Sequence, residues 1–380
     1  MTYPNFTEHQ DFQNFHTSFS THFSTIQDPR RITRGNFRYP LQEILFLTIS
    51  SVVSGYKQYT EIHFFGKEKL EWLRKFFPYE NGIPSCDVLE RIFARLDYDA
   101  FGQSFVNWIA EKTTFYDGEI IAIDGKTARG SGTKHNSPIH VVSAFASKNK
   151  LTLAQNVVEE KSNEIIAIPK LLDLLTIEGA MVTIDAMGCQ TEIANKIREK
   201  KADYTLMLKG NQKTLLEQAK SLFNFVSIAD ESQTYDMNGG RLEIRSCQVI
   251  TDLKFLDEKD RWKDLRSIVK VERKVTHKSN GKSTLEQAYY ISSAKKTAEE
   301  FNEIVRSHWA IENNLHWSLD VLFKEDMMLK KKGNSAKNFN LINKMALAMI
   351  EKDTTPKMSR PLKMNKCALN DDFRQSVMNF

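Results

Sequence analysis

Cysteine is scarce and scattered in this chain. Cys86, Cys189, Cys247 and Cys367 are the only four among 380 residues, and no two form a C-x-x-C pair. That excludes a zinc knuckle and a disulfide framework, and leaves four isolated buried thiols as the expectation. Long apolar runs are missing too. No stretch approaches the roughly 20 residues that span a bilayer. The N-terminal MTYPNFTEHQDFQNF has polar residues throughout and lacks the basic start and apolar run of a signal peptide. The expected location is therefore the cytoplasm. A strong charge imbalance is also absent: 53 Lys and Arg against 48 Asp and Glu leave a net charge of +5, which by itself points to no nucleic acid partner. Its distribution says more. From Lys324 to Phe380 there are twelve Lys and Arg against six Asp and Glu, so the basic excess belongs to the C-terminal stretch.

What is present is a soluble globular composition, 41% hydrophobic and 27% charged, in a chain too long for one ordinary core. Two or more domains follow as the prior. Up to about Tyr116 the pattern is helical: Leu41, Leu45, Ile49, Val52 and Val53 recur at helical spacing, and Glu68 to Phe77 and Cys86 to Leu96 behave alike. PYENGIPS, Pro78 to Ser85, reads as a turn-rich linker with Ser85 as N-cap. The helix after it carries Glu90, Arg91 and Arg95. The pair fits either a DNA-entering helix-turn-helix or an ordinary bundle with a solvated charged face.

After Asp117 the period shortens to that of strands. Ile120 to Ile123, Ile139 to Ala146 and Leu151 to Glu159 suit an antiparallel meander. A helix from about Ser162 to Leu175, a strand Met181 to Ile184, a helix in QTEIANKIREKKAD and a strand in YTLMLKGNQ complete a mixed α/β order with right-handed crossovers. From about Gln212 to Lys296 a mostly β insertion is expected, with a helix at Lys213 to Phe223 and strands at Arg241 to Ile250, Ser267 to Val275 and Leu285 to Ser292. A single strong helix from about Thr297 to Phe323 closes the core. The basic tail beyond it reads as a surface arm, helical in part near Ile342 to Ile350.

The chemistry-bearing stretch is GEIIAIDGKTARGSG, Gly118 to Gly132, where an apolar strand ends in Asp124 and passes into a cationic turn. Asp185 likewise ends an apolar strand, and carboxylates at the same end of neighbouring parallel strands can converge on one ion. The closing helix offers a third acid. Phe301, Val305, His308, Ile311, Leu315, Leu319 and Leu322 trace its inward stripe, and Glu312 falls on or beside it, where a carboxylate is expensive unless paired or bound to metal. Three oxygen ligands without a His and Cys set suit Mg2+ or Mn2+ better than zinc, and two such ions would promote phosphodiester displacement. Lys126, Arg129 and Lys209 are the cations placed to hold phosphates. GKT at Gly125 to Thr127 is no P-loop, because Ile120 stands where that motif needs glycine. His308 and His316 are too far apart along a helix to share a metal, and Trp309 and Trp317 read as core residues or as aromatic contacts of the basic arm.

IAIDGKTARGS, IHVVSAFAS, TIDAMGCQTEIANKI, DYTLMLKGNQ, GGRLEIR and RSHWAIENNLHWSLDVLFKED, in that order, resemble the ISAs1 family of bacterial insertion-sequence transposases, the H-repeat-associated proteins. The resemblance runs from about Asp28 to the C-terminus. It implies an N-terminal extension (1–27), a helical transposase-associated, DNA-binding domain (28–116), an RNase H-like DDE catalytic domain (117–323) with a β-rich insertion (212–296), and a basic C-terminal region (324–380). It implies a mixed sheet flanked by helices, a catalytic and metal-binding triad of Asp124, Asp185 and Glu312, two Mg2+ or Mn2+ ions per site, and Arg245 as a further phosphate contact beside Lys126, Arg129 and Lys209. The implied partners are element ends and target DNA, bound by a homo-oligomer on the bacterial nucleoid. The related IS4-like group carries Tyr, Arg, Glu and Lys on its last helix. Here the corresponding residues are Val305, His308, Glu312 and Leu319, so only the Glu matches. Two alternatives stay open: an RNase H-like nuclease or resolvase without strand transfer, and a non-catalytic DNA-binding regulator.

Overall fold

The computed structural model describes residues 17–31, 37–113, 118–134, 136–158, 164–355 and 358–379. The polar N-terminal stretch, the 116/117 boundary and the helix start at Ser162 lie outside the described residues. Nine strands form one sheet in the order β3-β2-β1-β4-β5-β9-β8-β7-β6. The meander is β1 (Ile120–Thr127), β2 (His140–Ala146) and β3 (Leu151–Val158), antiparallel throughout. On its other side β1 runs parallel to β4 (Met181–Ile184), which runs parallel to β5 (Asp203–Leu208). These central strands are nearly continuous apolar runs because helices cover both faces. Ile123 pairs with Ile184, so Asp124 and Asp185 follow side by side where the parallel pairing stops. Asp185 leaves β4 there, whereas β1 runs on against β2 to Thr127, so the turn expected directly after Asp124 begins only beyond Thr127.

The expected insertion departs from its sequence pattern in two ways. First, β6 (Asp230–Asn238), β7 (Arg241–Ile250), β8 (Ser267–His277) and β9 (Ser283–Ser292) extend the main sheet, with β9 antiparallel to β5. Second, β6 is an additional strand. Its sequence DESQTYDMN lacks an apolar face because it is the sheet's edge, where charge deters further pairing.

A larger correction concerns the C-terminal stretch, expected as a surface arm. It forms three helices, Ser335–Lys352, Arg360–Leu369 and Asp371–Met378. The first is buried along nearly its whole length, against the N-terminal helix Leu41–Val53 and β3. The cause is visible in Phe339, Leu341, Ile342, Met345, Leu347, Met349 and Ile350: a helix apolar on every side belongs in a core. Part of the basic excess is internal. Lys344 donates to Ser143 Oγ at 2.7 Å and Gln155 Oε1 at 2.5 Å, and burial pushes the pKa of its ammonium down despite the nearby Glu325. Lys330 lies over the Phe339 ring at 4.1 Å, and Arg374 over Trp72 at 3.9 Å. The N-terminal helices Leu41–Val53, Tyr59–Glu68, Cys86–Arg95 and Tyr98–Lys112 share one apolar core with this C-terminal body.

Ser85 is indeed the N-cap residue of Cys86–Arg95. Cys189, Cys247 and Cys367 are buried, Cys86 is half-buried, and all four are free. Among the described residues, no helix is long and apolar enough to cross a membrane.

Candidate functional site

The closing helix is interrupted where it matters. Ala298–His308 begins at a capping box between Thr297 and Glu300, passes into a π-helical stretch Ile311–His316 and resumes at Trp317–Val321. Wider turns of this kind recur at functional sites because they displace side chains from the regular stripe. Ile311, Leu315 and Leu319 stay buried, whereas Glu312 is 52% exposed at its side chain. The carboxylate expected to be costly inside the core therefore opens on a cleft, relieved of most of that cost.

That cleft lies across the strand ends and is lined by Asp124, Asp185, Glu312, Thr183, His308 and Lys209, with Trp309 at its wall. Asp124 is only 18% exposed. Burial pushes its carboxyl up to about 7, the backbone N–H of Gly125 opposes this, and the charges of Glu312, Asp185 and Glu164 add to the rise. Asp185 accepts through Oδ1 from the N–H groups of Met187 at 3.1 Å and Gly188 at 3.4 Å. This fixes one oxygen in a turn-like cap. His308 donates or accepts at Nδ1 with Thr183 Oγ1, 3.0 Å away, and burial drives its pKa down to about 4, so it sits there neutral.

His316 joins the site although its spacing from His308 argued against a metal role. Its Nδ1 lies 3.6 Å from Asp124 Oδ2 and 3.3 Å from Glu312 Oε2. Ligand atoms of Asp124, Glu312 and His316 all fall within 4.8 Å of one another, close enough to hold one cation. His316 holds Glu312 below the usual carboxylate range, while burial lowers the imidazole's own pKa. The signal in the sequence is its place four residues after Glu312 on one helix face; measuring it only against His308 hides that pairing.

Behind β1, His140 joins Thr127 Oγ1 at 2.8 Å to the buried Glu164. A Cβ on Gly125 would come within 2.4 Å of both Glu164 Oε1 and His140 Nε2, so a larger residue after Asp124 would have to push this buried pair of side chains aside. The loop beyond is equally tight: a Cβ on Gly130 would meet the Glu325 carbonyl at 2.6 Å, and the Arg129 N–H donates to Asp326 Oδ1 at 3.0 Å.

The four expected phosphate cations separate. Lys209 is exposed at the acid cleft. Lys126 is paired with Asp320 at 2.7 Å, and Arg129 lines the same polar hollow beside Glu312. Arg245 is not brought to the cleft; it sits on β7, paired with Glu243. Trp309 and Trp317, expected as core or arm contacts, are instead 51% and 50% exposed.

Known proteins share this sequence over most of its length. Residues 115–349 match the family model described as Transposase DDE domain, and residues 20–109 match the one described as DDE_Tnp_1-associated. The putative transposase YncI of Escherichia coli O157:H7 is 40% identical over 371 residues, covering 95% of this chain and 94% of that protein. The H repeat-associated putative transposase YhhI of Escherichia coli K12 is 37% identical over 368 residues, covering 94% and 96%. Among solved structures, a piggyBac transposase synaptic complex with hairpin DNA aligns over 97% of this chain and 80% of its own, at 11% identity and a TM-score of 0.46, too loose a likeness to carry an argument.

Proposed function

The chain belongs to the family of transposases with a DDE domain, and from that premise we propose that it cuts DNA at the ends of an insertion element and joins the freed 3′-hydroxyls to target DNA. The observation that carries the reading is the meeting of Asp124, Asp185 and Glu312 on one cleft, two of them on adjacent strands where their parallel pairing stops and the third on the helix across that edge. In this reading the central strands are an RNase H-like core, the chain is an ISAs1-type member, and it works in the cytoplasm as an oligomer on nucleoid DNA.

The residues suit divalent cations. The donors are hard carboxylate oxygens with one imidazole nitrogen, and Asp124 is crowded by negative charge that a cation would relieve. Two bound Mg2+ or Mn2+ ions would activate the attacking oxygen and stabilise the leaving one. Asp124, Asp185 and Glu312 are the proposed ligands and catalytic triad, with His316 beside Asp124 and Glu312 as the one nitrogen donor. Lys209 holds a phosphate at the rim. Lys126 reaches DNA only by exchanging or sharing its bond to Asp320, whereas the bond from Arg129 to Asp326 is made by the backbone N–H and does not occupy its guanidinium. Arg245 braces β7 instead.

The test uses labelled element ends, a target plasmid and Mg2+. The wild type is expected to cleave and join; Asp185→Asn should lose both by about 10³-fold, the scale of removing one transition-state charge stabiliser. Intact cleavage by Asp185→Asn would sink the triad assignment. Cleavage without joining by the wild type would make the chain a nuclease.

A further inference from the structure

A cavity of about 880 Å³ opens in the helical N-terminal part, far along the chain from the acids, and half of the residues lining it are arginines: Arg30, Arg31, Arg38, Arg91 and Arg95. No Asp or Glu is among the described lining residues. In a protein of nearly balanced charge, such segregation calls for a reason. Elsewhere Arg198, Arg245, Arg273, Arg306, Arg360 and Arg374 each meet a carboxylate. Among the described residues, Arg31, Arg38, Arg91 and Arg95 meet none within ion-pair distance, and all four are exposed.

The groove is built on fixed walls. Cys86–Arg95 buries Leu89, Ile92 and Phe93 and turns Arg91 and Arg95 outward, one helical turn apart. Arg91 is steadied by a 3.2 Å bond from its Nε to the Asp87 carbonyl. The opposite wall is held by Arg30, which is structural: it grips Asp28 at 2.8 and 2.6 Å and lies 4.7 Å from the centre of the Phe37 ring. Asn81 Nδ2 anchors the Arg38 carbonyl at 2.7 Å. Four uncompensated guanidiniums on a preformed concave surface are a recognition site for phosphate oxygens, which Arg binds bidentately.

We propose that this groove docks the phosphate backbone of duplex DNA, supplying sequence-independent affinity to the strand chemistry at the distant acids. The inference rests on DNA being the partner, as proposed above, and adds where it is gripped. Duplex is favoured because Arg91 and Arg95 project one turn apart from one rigid helix, Cys86–Arg95, and line the same groove as Arg31 and Arg38, a fixed array of cations that suits the regularly spaced phosphates of a double strand.

The experiment is fluorescence anisotropy with the full-length protein and a labelled duplex of arbitrary sequence, across a salt series. Arg91→Gln combined with Arg95→Gln is expected to weaken binding at least about tenfold and to flatten the slope of log affinity against log salt by about 2, near 0.9 for each phosphate no longer neutralised. Arg31→Gln with Arg38→Gln should do the same from the other wall, and serves if the first pair misfolds. Unchanged affinity and slope in both variants, with a wild type that binds duplex, would overturn the groove and leave DNA as partner. A wild type that binds no duplex at any salt would overturn both. Single-stranded DNA or RNA competing as well as duplex would overturn the duplex assignment.

Discussion

Two clusters of charge on the same sheet are built from similar residues to opposite effect. On β7 and β8, Glu243 sits between Arg245 and Arg273, the latter 2.7 Å away and also 3.2 Å from Glu286. Their guanidiniums outweigh burial and draw the Glu243 carboxyl down to about 2. At the edge of the parallel pairing, burial and the charges of Glu312, Asp185 and Glu164 outweigh the Gly125 N–H, and the Asp124 carboxyl rises to about 7. One cluster is satisfied by its own chain. The other is assembled with surplus negative charge, and that surplus is what makes it a site for an external cation.

The sharpest way to break the comparison is to remove the surplus. Asp124 has a folded-state pKa of about 7 against 3.8 in the free group, so the folded protein binds the proton more tightly. Between those values, stability falls as pH rises, because the folded state must carry a charge it disfavours. Asp124→Asn should therefore raise the stability of the metal-free protein at pH 8, by no more than about 4 kcal/mol, and the gain should vanish near pH 4, while cleavage is lost. Melting curves at the two pH values check it; equal stability of variant and wild type at pH 8 would remove the claim of stored repulsion. Added Mg2+ should stabilise the wild type and not the variant, and more strongly above pH 7 than below, since protons compete for the carboxylates.

How much of this was legible in the residues follows from the same contrast. Asp124 and Asp185 could be read because each ends a short apolar run, and parallel pairing puts such ends together without further information. The meander and crossovers were legible for the same reason, in periods of 2 and 3.6. Glu312 was found beside its stripe, but the π-helical stretch that turns it outward leaves no mark in hydrophobic periodicity, and His316 went with it. The edge strand β6 was hidden because an edge need not be apolar. The Ser335–Lys352 helix was obscured by counting charge: Lys344 and the basic residues around it distracted from a run of apolar side chains on all faces. The Lys126 pairing to Asp320 spans 194 residues of chain, which no local pattern could reveal.

The π-helical stretch supplies a second, smaller way to sharpen the comparison. Arg360 donates from Nη2 to Asn314 Oδ1 and from Nη1 to Ser318 Oγ, both at 3.0 Å, while its Nε meets Glu351. A residue of the C-terminal body thus clamps the turn that carries Glu312, without touching the acids. Arg360→Ala should cost about 2 kcal/mol of stability, since Glu351 is left half-buried without its partner. It should also reduce cleavage roughly tenfold, the scale of removing a group that orients a metal ligand. Arg360→Lys, which cannot bridge three acceptors in a fixed fork, should recover stability more than activity. Full recovery of both would reduce Arg360 to a simple ion pair.

The smallest effect belongs to the satisfied cluster. Glu243→Gln removes a carboxylate whose pKa is drawn from 4.5 to about 2. Its contribution is complete above 4.5 and is lost as pH falls through 2, so the variant should be less stable than wild type at pH 7 and indistinguishable from it at the acid end. Solvent reaches this face of the sheet, which limits the difference to about 1 kcal/mol. Cleavage should be unchanged within about twofold, because surface substitutions away from a site shift free energies only slightly. Chemical denaturation at pH 7 and the end-cleavage assay check the two halves. A Glu243→Gln variant that folds stably yet fails to cleave would mean that the β6–β9 extension takes part in the reaction, and that the two clusters are not independent.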